Sequence, residues 1–309
     1  MNLLVNGGTK FIGRAVVDRA LELGHKVAVY HRGETEPQDM PKVLHIHGDN
    51  AKIMERMDEI QACAPDAVID TTQFDRPRTE AVVATLTGMI ARYVLVSSMD
   101  VYMAYGRLHR TELGPYQEKL RSETSELRTK PGFGHTEEID NLHIENVALS
   151  QNDLNVTIAR LPGVFGPHDY QRRVGEMVDN LRKSGSELRM HPLRADFHWT
   201  WGYVENIADM LIECALDRRP GNNIYNLGFP EALSVMEMHQ LTARVIEWGG
   251  KIVATENGTE LPKQDLKQQW GSDTSKFRKD FGYNERFSME EAFNLTVDHI
   301  SELDHSETD

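Results

Sequence analysis

The chain has 309 residues, 39% hydrophobic and 27% charged, the make-up of a globular protein that buries a sizeable core without covalent staples. Its net charge of −14 argues against tight, nonspecific nucleic-acid binding, which needs clustered Lys and Arg. Its two cysteines, Cys63 and Cys214, fall in apolar helical patterns and read as reduced thiols rather than a disulfide.

Met1 leads straight into Leu3-Leu4-Val5 with no basic start or cleavage signal. No run approaches the roughly 18 apolar residues of a membrane helix. The expectation is a cytoplasmic protein.

Short apolar runs alternate with longer amphipathic ones, the pattern of repeated βαβ units. Residues 2–5 read as a buried strand. From Phe11 to Leu23, Ile12, Val16, Ala20 and Leu23 share one helical face, and Gly24 is a stop signal. Strands follow at 27–30 and 43–47, then a helix through Ile53, Met57 and Ile60. A strand at 67–70, a helix at 80–90 and a strand at 93–97 continue the alternation. Residues 103–135 lose periodicity and read as a long functional loop. A helix is expected from about Glu137 to Ser150, and a strand at 156–160. Beyond it, helices are expected at 174–184, 204–216, 235–248, 273–280 and 288–303, with short strands near 223–226 and 251–254. The acidic tail from Glu302 to Asp309 reads as frayed.

The most informative segment is Asn6-Gly7-Gly8-Thr9-Lys10-Phe11-Ile12-Gly13, between the first strand and the first helix. A pyrophosphate-binding loop needs glycine there so that backbone amides and the helix N-terminus can approach the phosphates. Gly7, Gly8 and Gly13 have that spacing, and Lys10 stands where a middle glycine is usual. At the end of the second strand, an acidic residue would bind the ribose of NAD. The sequence there is Tyr30-His31-Arg32-Gly33, and the Arg32 guanidinium suits the 2′-phosphate of NADP. Glu34 keeps NAD open. Asp49 suits either the adenine amino group or a helix N-cap. The fold class that follows is α/β, a Rossmann-type doubly wound parallel sheet with a smaller C-terminal substrate lobe. Residues 1–165 form the NAD(P)-binding domain and 197–230 return to it. Residues 166–196 and 231–309 form the lobe.

Further segments make the resemblance more specific: Val96-Ser97-Ser98-Met99-Asp100-Val101-Tyr102, Arg160-Leu161-Pro162-Gly163-Val164-Phe165-Gly166-Pro167, Gly202-Tyr203-Val204-Glu205-Asn206, Ile224-Tyr225-Asn226-Leu227-Gly228 and Asp273-Thr274-Ser275-Lys276. With the glycine loop, they make the chain resemble the extended short-chain dehydrogenase/reductase superfamily, the NAD(P)-dependent epimerases and dehydratases. The form of the loop and the Arg-Gly after strand two resemble its atypical branches, one of which includes chloroplast stem-loop RNA-binding proteins. The resemblance implies further cofactor contacts at Thr71, Ser97, Pro162 and Val164, with Ser98 in the serine role. It also implies a homodimer through the helix matching 137–150.

The family's chemistry uses a Tyr and a Lys four residues apart, whose Tyr exchanges a proton with substrate while hydride moves to or from the cofactor. That pair is missing. Counting back from Arg160 puts the two positions at Glu137 and Asn141, with Glu145 keeping the following acidic place. Glu137 is therefore either a replacement base or a solvated first-turn carboxylate. His135 and His168 are candidate helpers.

For substrate contacts, the matching region suggests His168, Arg172 and Trp201, with core packing or surface charge as the plain alternatives. His45 and His47, two apart on a strand, share a face as metal ligands would, but no third ligand follows at a recognisable spacing, so no metal is expected. Three readings result: an NAD(P)-dependent epimerase, dehydratase or reductase for a nucleotide sugar or small polyol or carbonyl substrate; an NADP-binding sensor or scaffold without turnover; and, least favoured by the charge, an RNA-binding protein.

Overall fold

A computed structural model describes residues 1–72 and 75–306. The central sheet takes its strands from seven places: β1 (Asn2–Asn6), β2 (Lys26–His31), β3 (Leu44–His47), β4 (Ala67–Asp70), β5 (Arg92–Ser98), β7 (Val156–Leu161) and β11 (Asn223–Asn226). Their spatial order is β11-β7-β5-β4-β1-β2-β3, and every neighbouring pair is parallel. This is the doubly wound order, with its reversal between β1 and β4.

The strands alternate faces. Leu3 and Val5 turn to one side, where α1 (Phe11–Glu22) and α8 (Val204–Leu216) pack together, and Leu4 to the other, where α2 (Met57–Cys63), α3 (Arg76–Leu86) and α5 (Asn141–Leu149) cover the sheet. Each such aliphatic side chain, fully buried, stabilises the fold by about 1.5–3 kcal/mol.

Local chemistry moves two helix starts from where periodicity put them. α3 begins at Arg76, not near 80, because Asp75 caps it by accepting from the Arg78 amide and Pro77 stands in its first turn. α5 begins at Asn141, not Glu137, because the Asp140 carboxylate accepts from the Leu142 amide. Glu137 thus lies on an exposed turn ahead of the helix. The segment 103–135 is partly ordered: it contains α4 (Met103–Leu108) and β6 (Leu120–Arg121).

The remaining elements build a smaller layer past β7. β8 (Gly163–Phe165) lies beside β10 (His198–Tyr203), which also pairs with β12 (Ala232–Ser234). β9 (Glu187–Met190) pairs with β13 (Lys251–Ala254), and β14 (Gly271–Ser272) with β6. Except for 251–254, the sequence reading missed these short strands, which carry too few residues for a period. Helices α6 (Arg173–Lys183), α7 (Pro192–Ala195), α9 (Val235–Val245), α10 (Ser275–Phe281) and α11 (Met289–Ser306) complete the chain. Of the expected frayed tail, Glu302–Ser306 are helical, and Glu307–Asp309 lie outside the described residues.

Trp199 stacks between Trp201 and Trp270, with ring centroids 4.7 and 5.0 Å away, and fastens the β14 segment to β10. Both cysteines are free, Cys214 buried and Cys63 half-buried. Among the described residues no helix is long and apolar enough to cross a membrane.

Candidate functional site

At the carboxyl ends of β1, β2 and β4 the chain leaves a cavity of about 350 Å³. This is the crevice where open α/β sheets bind ligands. The glycine loop forms its floor. Gly7 has φ +90°, a backbone that side chains rarely adopt, and a Cβ there would sit 2.1 Å from Thr72 Cγ2. A Cβ on Gly13 would lie 2.2 Å from the Gly7 carbonyl oxygen, so only glycine lets the first turn of α1 press against the loop. Gly8 sits beneath, against Val17 and Val29. Lys10 is exposed and extended, with φ −138°, so the usual middle glycine is not needed there. The backbone strain falls one residue later, on Phe11, with φ 40°. Lys10 is also the N-cap of α1 and has no accepting side chain, which leaves the first helical amides open to an anion.

Of the residues expected at the cofactor, Gly7, Thr9, Lys10, Phe11, Ile12, Gly13, Arg32, Asp49 and Thr71 line this cavity. The lining described does not include Gly8, Ser97, Pro162 or Val164. Ser97 is buried and donates to Glu145 Oε1 at 2.6 Å. Glu145 in turn holds Arg160 through two hydrogen bonds of 3.0 and 2.7 Å. Val164 gives its carbonyl to Arg173, 2.9 Å away.

Of the two roles weighed for Asp49, the helix cap is seen, its carboxylate accepting from the Ala51 amide, and the residue also borders the cavity. Arg32 lies at the mouth with its guanidinium 3.0 Å from Glu34. The sequence reading missed Asn50, Thr72, Arg78 and Tyr170, which also line the wall. Tyr170 reaches it from the segment after β8, its ring edge-on to Phe11. An aromatic residue on an irregular segment gave no sequence signal.

The cavity fits a dinucleotide. The glycine cradle admits phosphates, and Lys10, Arg32 and Arg78 supply positive charge. Asn50 Oδ1 is buried and, among the described residues, has no hydrogen-bond partner, while its Nδ2 donates to Thr72 Oγ1 at 2.7 Å. Asn50 lines the cavity, so one buried acceptor of its wall is left unsatisfied.

The expected catalytic residues stand elsewhere. Ser98 is half-buried, and its Oγ accepts from the Asp100 amide at 3.2 Å. Asn141 Nδ2 donates to both Asp100 carboxylate oxygens, at 3.1 and 3.0 Å. Asp100 is 7% exposed, and burial pushes its carboxyl above the usual range, against the pull of Asn141 and Arg128. Arg128, buried, ion-pairs Asp140 at 3.0 Å and lies 3.6 Å from Asp100, to whose carbonyl it also donates. Burial works against the Asp140 carboxylate too, but Arg128 and the Gly132 amide hold it below its ordinary value. Tyr105, under the Arg128 guanidinium, is pushed up to about 12 by burial and the Asp100 charge. The structure therefore joins Ser98 and Asn141 through Asp100 and leaves Glu137 on the surface.

The three substrate candidates do not meet one another at the cavity. His168 is exposed and packs against His299. Arg172 is exposed near Asp179. Trp201 is 3% exposed, in the aromatic core between β8 and β10.

The model of the NAD dependent epimerase/dehydratase family matches residues 3–228. No curated protein matches the chain. Solved structures share the fold over nearly their whole length. A dTDP-glucose 4,6-dehydratase from Bacillus anthracis in complex with NAD superposes with a TM-score of 0.75 at 17% identity, covering 99% of this chain and 98% of its own. A UDP-glucose 4-epimerase with UDP-glucose from Thermotoga maritima gives 0.73 at 16%, covering 98% and 99%. A UDP-glucose 4-epimerase from Thermus thermophilus in complex with NAD gives 0.70 at 19%, covering 97% and 99%.

Proposed function

Because this chain belongs to the NAD-dependent epimerase/dehydratase family, we propose that it binds NADP at the glycine-loop cavity and acts as an epimerase, dehydratase or reductase with non-standard acid/base residues. NAD is the alternative cofactor that the same cavity admits. The substrate class is a nucleotide sugar or a small polyol or carbonyl compound, in keeping with the sugar nucleotides named for the two solved epimerases and the dehydratase. The reading places the protein in the cytoplasm, as a homodimer paired through α5, the helix of the 137–150 segment.

The observation that carries the proposal is the cradle itself. Gly7 and Gly13 are held where no side chain fits, and Asn50, whose side-chain oxygen has no partner among the described residues, lines the same cavity. The cofactor, when bound, supplies the hydride chemistry. The chain's own residues would do the rest. The α1 amides and Lys10 hold the diphosphate, and Arg32 meets the 2′-phosphate. In this reading the Ser98 hydroxyl donates to the substrate oxygen, Glu137 takes the proton, and Asn141 holds the Asp100 carboxylate. Titration with NADPH, NADP⁺ and NADH, read by nicotinamide fluorescence, tests the binding; no saturation below millimolar concentration overturns it. Hydride exchange with a panel of nucleotide sugars tests the chemistry. Ser98→Ala and Glu137→Gln are expected to lower turnover by about 10²-fold with dinucleotide affinity unchanged.

One observation favours a second reading. The position of the family lysine is held by a neutral amide already committed to Asp100, and Arg128, the arginine beside Asp100, is locked between two carboxylates. Such a site suits a dinucleotide-binding sensor or scaffold. It predicts saturable binding with no hydride exchange on any substrate.

A further inference from the structure

Four side chains converge at the edge of the sheet beyond the cavity. β2 and β3 run parallel with His31 opposite His47 and Val29 opposite His45. His45 and His47, two apart, point to one face, and the register puts His31 on it as well. The chain then turns at Gly33, with φ +77°, and brings Glu36 back over the three rings.

The distances are those of a small coordination shell. His31 Nε2 is 2.9 Å from His45 Nδ1 and 3.4 Å from Glu36 Oε1. Glu36 Oε1 is 2.6 Å from His47 Nε2 and 3.9 Å from His45 Nδ1. One donor atom from each residue lies within 4.8 Å of all the others. Zinc–nitrogen bonds of about 2.0–2.1 Å in a tetrahedron set ligand atoms about 3.3 Å apart, in the middle of this range.

We propose that His31, Glu36, His45 and His47 form a binding site for one late first-row divalent cation of the zinc class. Three imidazoles and one carboxylate select such a metal over calcium or magnesium, which take shells of oxygen. Four protein ligands make the shell closed, so the cation has a structural or regulatory task and not a Lewis-acid one.

Loading has a defined local consequence. The Gly33 amide donates to His31 Nδ1 at 3.2 Å, so without metal the ring proton sits on Nε2 and is shared with His45. A cation at Nε2 moves that proton to Nδ1, and Gly33 loses its acceptor. The His47 proton, now directed at Glu36, moves to Nδ1 in the same way. No net proton is released by these two shifts. The segment that must adjust, 31–36, includes His31, Arg32, Glu34 and Thr35 of the cavity wall.

The test uses the full chain without an affinity tag, stripped by chelator and titrated with Zn²⁺ against a chromophoric competitor, with no dinucleotide present. One equivalent is expected to bind at micromolar concentration or tighter. Co²⁺ in its place is expected to give the intense visible bands of a tetrahedral site without sulfur charge transfer. His47→Ala and Glu36→Gln, both at exposed positions, are expected to weaken Zn²⁺ by more than about tenfold, since even an outer-shell partner is worth that much. His45→Asn serves as a third variant, and unchanged circular dichroism confirms that each folds. Absence of stoichiometric binding, or full binding in His47→Ala, overturns the proposal. Because dinucleotide is left out, this result and that of the cofactor titration are independent.

Discussion

Two stretches of the same sheet edge have been treated in opposite ways. Over β1, β2 and β4 the edge is hollow, and glycine keeps it so at positions where a single methyl group would collide with the chain. At the end of β5 the edge is filled. There Asp100, Arg128, Asp140 and Asn141 satisfy one another, with Arg128 and Asp140 less than 5% exposed. The first arrangement waits for a ligand and the second has supplied its own counter-charges. The difference teaches that one stretch is kept open by residues without side chains, while the other is closed by charges that neutralise one another.

The comparison breaks most visibly at Arg128. Replacing it with Met leaves two buried carboxylates facing each other without their cation, so a loss of about 3–5 kcal/mol in unfolding free energy is expected by urea denaturation. If the two stretches are independent, dinucleotide affinity of the folded variant stays within about threefold.

The converse substitution is Gly13→Val. Its Cβ meets the Gly7 carbonyl, and dinucleotide affinity is expected to fall by about 100-fold, or roughly 2.7 kcal/mol, in a nicotinamide fluorescence titration. An unchanged affinity would remove the cradle from the argument.

A smaller effect sharpens the cofactor choice. Arg32→Ala is expected to weaken NADPH by about tenfold and NADH hardly at all, because only the former carries the 2′-phosphate.

The smallest effect lies outside both stretches and serves as a control. His239, on α9, is held below its ordinary range by burial. A depressed folded value means the unfolded chain binds the proton first. The stability is full above the unfolded value near pH 6.5 and declines as pH falls below it. The urea midpoint is expected to drop from pH 7 to pH 5.5, and His239→Gln to flatten that drop, with dinucleotide affinity at pH 7 unaffected.

What could be read from the sequence follows from how local each feature is. The strand–glycine loop–helix unit is contiguous, so residues 2–22 announce both a fold and a ligand-binding loop. The α3 start is local too, since Asp75 and Pro77 mark it within three residues. A family pattern counted back from Arg160 sets Glu137 on a helix, whereas Asp140, four residues before Ile144, is the residue that caps it. His31 and Glu36 could not be joined to His45 and His47 without the register between β2 and β3, which no spacing within one strand reveals. Asp100 and Arg128 were hidden for the same reason: their meeting depends on a long segment folding back across the end of β5. Tyr170 enters the cavity from a stretch without period.

The stacked indoles have a practical consequence. Trp199, Trp201 and Trp270 are three of the four tryptophans, and they meet where β10 receives the segment leading into β14. Emission from this chain is therefore weighted towards a single seam. Rings this close also couple their transitions, so near-ultraviolet dichroism should carry a strong signature of the same contact. An experimenter watching intrinsic fluorescence during unfolding would be timing the release of residues near 270 from β10, while the glycine loop, which contains no tryptophan, stayed dark.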